Sequence, residues 1–160
     1  DLFEPGYKFN FTDLQASIGV EQLKKLNSII SYRKKIRGVY NKELGDLEKK
    51  KLIKIFKIKK NFKSSEYIYT ILINKNKDQQ LRDKLIQFLK KNKINTTVHY
   101  IPLFELKFYK DKFSKKKFPN TNYVYKNIVS LPFHNKLKLN QVKYISNKIN
   151  DFFNFENKKK

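Results

Sequence analysis

Lys8 and Asn10 are the residues whose types and spacing best suit the binding of an anion. A Pro-Gly pair predicts a turn just before them, and Thr12 precedes Gln15 by three residues, the spacing of a capping box, so a helix is expected to begin at Thr12. Residues two apart in an extended segment point the same way, so an ammonium group and a carboxamide can be presented together beside the positive end of a helix. The alternative is a turn asparagine that stabilises its own backbone, next to an ordinary surface lysine.

His99 and Tyr100 form a second candidate pair. They lie at the end of a short run, 96–101, whose composition predicts a strand, and side chains at a strand end can project into a site. A histidine in such a position is equally explained by a core or edge location with its hydrogen bonds satisfied, and Tyr100 by burial in the core. His134, the other histidine of the chain, is expected to be structural.

A self-contained catalytic set is absent from the sequence. There is no cysteine and no glycine-rich phosphate loop, and Glu66 and Glu105 have no partner at metal-ligand or general-acid spacing. The lack of cysteine also excludes disulfides and thiolate metal sites, and it fits the reducing environment of the cytoplasm, which is the expected location. Any chemistry must therefore be completed by residues outside this chain.

Helical and strand patterns alternate along the chain and supply the elements that would position these residues. The predicted elements are a long amphipathic helix from Thr12 to about Leu44, an edge strand with a charged loop at 49–63, a central strand at 67–73, a helix at 78–92, a strand at 96–101, a short helix at 104–113, a helix at 120–129 and a last helix at 140–153. Gly19 lies inside the first helix, where glycine costs about 1 kcal/mol relative to alanine, so it is expected to mark a close contact. The order predicts a small α+β domain, a short sheet covered on one face by helices and led by the long N-terminal helix.

The formal charge of +23 raises nucleic acid or an anionic membrane as a partner. Arginine, which suits bidentate recognition of phosphates and bases better than lysine, occurs only at Arg33, Arg37 and Arg82. No apolar run is long enough to span a membrane. We therefore expect no membrane and no specific nucleic acid as partners, and a basic polyanion- or nucleic-acid-binding module stays as the alternative function.

Three segments of the chain carry a recognisable pattern: 6–26 (GYKFNFTDLQASIGVEQLKKL), 94–103 (INTTVHYIPL), and 118–121 (FPNT) followed by 130–133 (SLPF). In the same order, they resemble parts of the DegT/DnrJ/EryC1/StrS family of pyridoxal-phosphate-dependent sugar aminotransferases. Asn95 stands where the family usually has glycine. Many members have Asn and Arg where this chain has Lys8 and Asn10, and the Lys and Asn form resembles the branch that contains the UDP-4-amino-4-deoxy-L-arabinose aminotransferase. The three segments together span nearly the whole chain.

The resemblance implies that residues 1–160 form the C-terminal small domain of the aspartate-aminotransferase-like fold. The large domain that precedes this segment in the family, and that carries the cofactor-bound lysine, would be missing. The lack of methionine agrees with a fragment of a longer polypeptide. The complete enzyme would use pyridoxal 5'-phosphate to move an amino group from glutamate to a keto-sugar nucleotide, for polysaccharide or glycoconjugate synthesis. No lysine here lies in the family's cofactor-lysine motif, so we expect no catalytic residue in this fragment and no activity from it alone. A truncated, inactive family member is the remaining alternative.

The resemblance also implies roles for the candidate residues. Asn10 would donate a hydrogen bond to the cofactor phosphate bound by a neighbouring subunit, so that a homodimer shares its active sites. Lys8 would be the companion cation, contacting that phosphate or the substrate diphosphate. His99 and Tyr100 would face the nucleotide-sugar substrate. No metal is expected.

Overall fold

A computed structural model describes residues 9–74, 80–111 and 117–158. The helices are α1 (Asp13–Glu43), α2 (Gly45–Lys49), α3 (Leu81–Lys91), α4 (Lys107–Lys110), α5 (Pro119–Asn127) and α6 (Leu139–Lys158), and the strands are β1 (Ile53–Ile55), β2 (Tyr69–Ile73) and β3 (Ile128–Leu131). A 3₁₀ turn at Leu103–Glu105 precedes α4. The predicted α+β fold, with a short sheet packed by helices and a long leading helix, is confirmed.

The three strands form one antiparallel sheet in the order β1-β2-β3. Ile53 of β1 lies opposite Ile73 of β2, and Tyr69 of β2 lies opposite Leu131 of β3. The run of β-branched and aromatic residues in β2 therefore marks the central strand, as predicted. The edge strand predicted within 49–63 is also present, but it is only three residues long.

Two sequence predictions about short elements are wrong. The run 96–101 is not a strand, since Thr97 makes only an isolated bridge with Ser130. The helix predicted at 120–129 ends at Asn127, and Ile128 begins β3. All four residues of β3 are buried, so their backbone groups need hydrogen-bond partners. Pairing with β2 supplies partners and gives the sheet its third strand.

The main hydrophobic core lies between one face of the sheet and the helices α1, α3 and α6. Its fully or almost fully buried members include Ile36, Tyr40, Leu44, Ile53, Tyr69, Ile71, Ile73, Leu85, Leu89, Val129, Leu131, Val142, Ile149 and Phe153. Alternate residues of the strands, Leu72, Ile128 and Ser130, belong to the other face and are buried as well. The second face is therefore covered at β2 and β3, more than the prediction of one covered face allows, whereas Lys54 of β1 is exposed there.

The helix α1 has two different halves. The first residue of α1 that is fully buried is Ile36, about 35 Å along the helix from Asp13. Large apolar side chains nevertheless precede it, and Leu14, Ile18, Val20, Leu23 and Leu26 are all exposed. No described atom lies within 4 Å of the position that a Cβ on Gly19 would take, so the close contact predicted there is not made within the described chain.

Candidate functional site

An open groove between the segment after α3 and the helix α5 contains both residues of the second predicted pair. It has a volume of about 340 Å³ and is lined by His99, Tyr100, Pro102, Asn120, Thr121, Val124, Tyr125 and Ile128. The lining combines one imidazole, two phenol rings and an amide with an apolar floor. Such a mixture suits a ligand with both flat and polar parts.

The imidazole of His99 is held by the sheet. Its Nδ1 lies 2.8 Å from the hydroxyl oxygen of Ser130, and the hydroxyl of Thr97 lies at a longer distance of 3.5 Å. The ring of Tyr100 stands edge-on to the His99 ring, with 4.8 Å between centroids. The peptide bond between His99 and Tyr100 is cis. His99 is half-buried and Tyr100 is exposed, so the structure brings the two predicted residues together at the groove.

Local sequence explains both walls of the groove. Pro119 occupies the first helical position of α5, where the missing N–H costs nothing and the fixed φ favours the helix. The rings of Phe104 and Phe118 stack with 5.9 Å between centroids and join the two walls. A smaller apolar cavity of about 230 Å³ continues beyond them, lined by Pro102, Leu103, Phe104, Phe118 and Thr121.

Arg82 supports the α5 wall from α3. Its Nη1 donates to the backbone oxygen of Tyr125 at 3.4 Å, and its guanidinium carbon lies 5.9 Å from the centroid of the Tyr125 ring. The Nε of Arg82 lies 2.6 Å from a carboxylate oxygen of Asp83, which balances the charge. Arg82 therefore orients a groove residue and does not line the groove itself.

Of the first predicted pair, only Asn10 can be placed. Asn10 is exposed on the segment that enters α1, and Lys8 lies outside the described residues. The capping box is confirmed, because the Thr12 hydroxyl accepts from the N–H of Gln15 at 3.3 Å and the Gln15 side chain accepts from the N–H of Thr12 at 3.0 Å. Asn10 is not among the residues that line the groove, so the structure does not bring it together with His99 and Tyr100.

Sequence reasoning did not single out the groove residues Asn120 and Thr121, nor Ser130, which contacts His99 from behind the groove. All three residues lie in segments that carry the family resemblance, 118–121 and 130–133, and neither segment was given a role in a site. The signal for Ser130 is its place in β3, because a small polar residue among buried apolar neighbours requires a hydrogen-bond partner. That partner, His99, lies 31 residues away in sequence.

The three arginines are all engaged within the domain. Arg33 donates to Asn135 and to the backbone oxygen of Glu66, Arg37 pairs with Glu66, and Arg82 contacts α5. The described residues contain no group of three His, Asp or Glu side chains that could hold a metal ion. Among the same residues, no helix is both long and apolar enough to cross a membrane.

Comparison with known proteins agrees with this architecture. The model of the DegT/DnrJ/EryC1/StrS aminotransferase family matches residues 2–150. The chain is 42% identical over 139 residues to an uncharacterised protein of Methanocaldococcus jannaschii, covering 86% of this chain and 35% of that protein. It is 33% identical over 145 residues to the UDP-4-amino-4,6-dideoxy-N-acetyl-beta-L-altrosamine transaminase of Campylobacter jejuni, covering 91% of this chain and 38% of the transaminase.

Among solved structures, the PMP form of the putative sugar aminotransferase Spr1654 from Streptococcus pneumoniae superposes with a TM-score of 0.85 at 30% identity. The superposition covers 95% of this chain and 37% of that one. The fold is thus that of one part of a sugar aminotransferase. The chain belongs to the DegT/DnrJ/EryC1/StrS aminotransferase family, and it spans a little over one third of the length of the curated relatives described above.

Proposed function

We propose that this chain is the C-terminal small domain, 1–160, of a pyridoxal-phosphate-dependent aminotransferase that acts on a nucleotide sugar. The complete enzyme transfers an amino group from glutamate to a keto-sugar nucleotide, for the synthesis of a polysaccharide or glycoconjugate in the cytoplasm. The groove at His99 carries the proposal, because it presents a held imidazole next to the exposed ring of Tyr100.

The chemistry of the groove fits a nucleotide sugar. Sugars and diphosphates offer many oxygen acceptors, and an imidazole N–H, the amide of Asn120 and the hydroxyl of Thr121 are suitable donors. The rings of Tyr100 and Tyr125 can pack against a flat base. These residues bind and orient a substrate, and none of them is assigned a bond-making role.

Only part of a cofactor site fits the residues of this chain. When bound, pyridoxal phosphate supplies the carrier function for the amino group. The exposed carboxamide of Asn10 can donate to its phosphate next to the positive end of α1. The capping box already uses the N–H groups of Thr12 and Gln15. The helix end therefore attracts the phosphate mainly through its dipole, and less through free N–H donors. Lys8 is the proposed companion cation.

The exposed half of α1 supports a shared site. Its apolar side chains, Leu14, Ile18, Leu23 and Leu26 among them, are uncovered beside Asn10. Such a surface is typical of an interface, and the relatives are about two and a half times as long as the chain. We therefore propose that Asn10 reaches the cofactor phosphate of a neighbouring subunit in a homodimer whose large domains cover this half of α1.

The identity of the sugar remains a prediction. Lys8 and Asn10 favour the branch with the UDP-4-amino-4-deoxy-L-arabinose aminotransferase, whereas the Campylobacter jejuni relative acts as an altrosamine transaminase. Binding of nucleic acid as the main function is not favoured, because all three arginines are engaged inside the domain.

Binding of UDP and dTDP to the ¹⁵N-labelled chain tests the groove. We expect saturable shifts at His99, Tyr100 and Thr121, with His134 as the internal control. Shifts that spread over the lysine-rich surface, spare the groove and disappear with salt would instead favour a generic polyanion binder.

The cofactor part needs a separate experiment. The chain is mixed with pyridoxal phosphate, reduced with borohydride and digested, and the modified lysines are mapped. We expect weak labelling distributed over many lysines. Stoichiometric modification of a single lysine would show that the cofactor lysine is present and would contradict the proposed division of the active site.

A further inference from the structure

Ser130 has only one group left for an interaction outside the sheet, its hydroxyl. The backbone N–H of Ser130 donates to the oxygen of Thr97 at 2.8 Å, and its backbone oxygen accepts from the N–H of Thr97 at 3.2 Å. Its other neighbour in the sheet is Thr70 on β2. The residue is almost fully buried, with 3% of its surface exposed. Its backbone is therefore held between β2 on one side and the bridge residue Thr97 on the other.

The hydroxyl of Ser130 and the Nδ1 of His99 lie 2.8 Å apart, and the direction of the hydrogen bond between them depends on which ring nitrogen carries the proton. A buried hydroxyl has one proton to donate, and the acceptor that the structure gives it is the Nδ1 of His99, at 2.8 Å. An Nδ1 that accepts a hydrogen bond has no proton of its own, so the neutral ring carries its proton on Nε2. Nε2 then acts as a hydrogen-bond donor.

We propose that Ser130 is a positioning residue that holds His99 in the Nε2–H tautomer, so that the groove offers a neutral donor to an oxygen of the substrate. This inference rests on the proposed function of the groove as a substrate site. The inference adds Ser130, which does not line the groove, to the residues that shape the substrate site. It also specifies that His99 contacts an acceptor oxygen of the substrate. Ser130 acts through His99 and does not touch the substrate.

The tautomer can be measured directly in the unsubstituted chain. Long-range ¹H–¹⁵N spectra at about pH 9, well above the usual histidine pKa of about 6.5, distinguish a protonated from an unprotonated ring nitrogen. We expect an unprotonated Nδ1 and a protonated Nε2 for His99. A protonated Nδ1, or a mixture of the two tautomers, would overturn the proposal without any variant being made.

Substitution then tests the consequence for binding. Ser130→Ala removes the hydroxyl, and we expect mixed tautomers of His99 and an affinity for UDP about three- to tenfold lower. Ser130→Thr retains a hydroxyl and should restore the Nε2–H tautomer. Ser146→Ala is the matched control, since Ser146 is also buried but donates to the oxygen of Val142 inside α6.

The outcomes separate this proposal from the proposed function. If UDP does not bind at the groove but His99 is the Nε2–H tautomer and changes in Ser130→Ala, the substrate site is wrong and the positioning role stands. If UDP binds and Ser130→Ala leaves both tautomer and affinity unchanged, Ser130 has only a structural role. Should both Ser130 variants fail to fold, the tautomer of the unsubstituted chain decides.

Discussion

Arg37 donates from Nε to the carboxylate of Glu66 at 2.6 Å and joins the C-terminal half of α1 to the loop between β1 and β2. Glu66 is almost completely buried, its φ of 52° is in the left-handed region, and its N–H donates to the hydroxyl of Ser64. The guanidinium also lies 5.7 Å from the centroid of the Tyr69 ring. This ion pair ties the C-terminal half of α1 to the segment that leads into β2.

The two partners of this ion pair are expected to differ in their contribution to stability. Arg37→Met leaves a buried carboxylate without its cation and should lower the free energy of unfolding by about 3 kcal/mol. Glu66→Gln keeps an acceptor for Arg37, whose side chain is 17% exposed, and should cost only about 1–2 kcal/mol. Urea denaturation at neutral pH measures both. Equal losses would mean that the burial of Glu66 is not the dominant cost.

The extent to which sequence could predict this structure depends on the distance between interacting residues. The start of α1 could be predicted because Thr12 and Gln15 are three residues apart. The Arg37–Glu66 pair could not, because its members are 29 residues apart and the spacing of carboxylates around Glu66 gave no hint of a partner.

The same limit applies to the candidate site. His99 and Tyr100 are neighbours in a motif and could be proposed together. Ser130 contacts His99 only because Ser130 of β3 forms an isolated bridge with Thr97, two residues before His99. The strand β3 itself was missed because its first two residues, Ile128 and Val129, continue the helical pattern of α5. Pairing with β2 determines the conformation of β3, and the spacing of apolar residues within a short segment cannot predict that pairing.

A buried tyrosine pair makes stability depend on alkaline pH. The rings of Tyr40 and Tyr69 stack at 4.6 Å, and burial raises the pKa of both, in Tyr69 against the opposing effect of Arg37. The unfolded chain then releases the tyrosine proton first, so stability is full below about pH 10 and falls above it, by up to about 1.4 kcal/mol per pH unit for each tyrosine.

Tyr40→Phe tests this pH dependence. At neutral pH the variant should be less stable by about 1 kcal/mol, because the hydroxyl of Tyr40 donates to the oxygen of Pro132. The difference from the unsubstituted chain should shrink above pH 10 and then change sign. Urea titrations from pH 7 to pH 11 measure it, with Tyr144→Phe at an exposed ring as the control. A constant difference over this range would contradict the effect of burial.

The two halves of α1 should respond differently to truncation. Leu44, just after the helix, is completely buried, and Leu44→Ala should lower the free energy of unfolding by 2–5 kcal/mol, on the order found for core leucines. Leu23 is 68% exposed, and Leu23→Ala should change it by less than about 0.5 kcal/mol. A large loss from Leu23→Ala in the monomer would mean that the first half of α1 packs on the domain after all.

Glycine substitutions in α1 distinguish a helix defect from a reserved contact. A Cβ at Gly19 or at Gly38 would have no described atom within 4 Å, so alanine fits at both positions and gains about 1 kcal/mol of helix propensity. Gly38 lies between the buried residues Ile36 and Tyr40, so Gly38→Ala should raise the free energy of global unfolding. Gly19→Ala should slow hydrogen exchange in the first half of α1 and leave global unfolding unchanged, because that half can fray independently.

If Gly19 leaves space for the close approach of another domain or subunit, Gly19→Ala should weaken assembly of the complete enzyme, while Gly38→Ala should not. Weaker assembly in both variants, or in neither, would leave Gly19 as a simple defect in the helix.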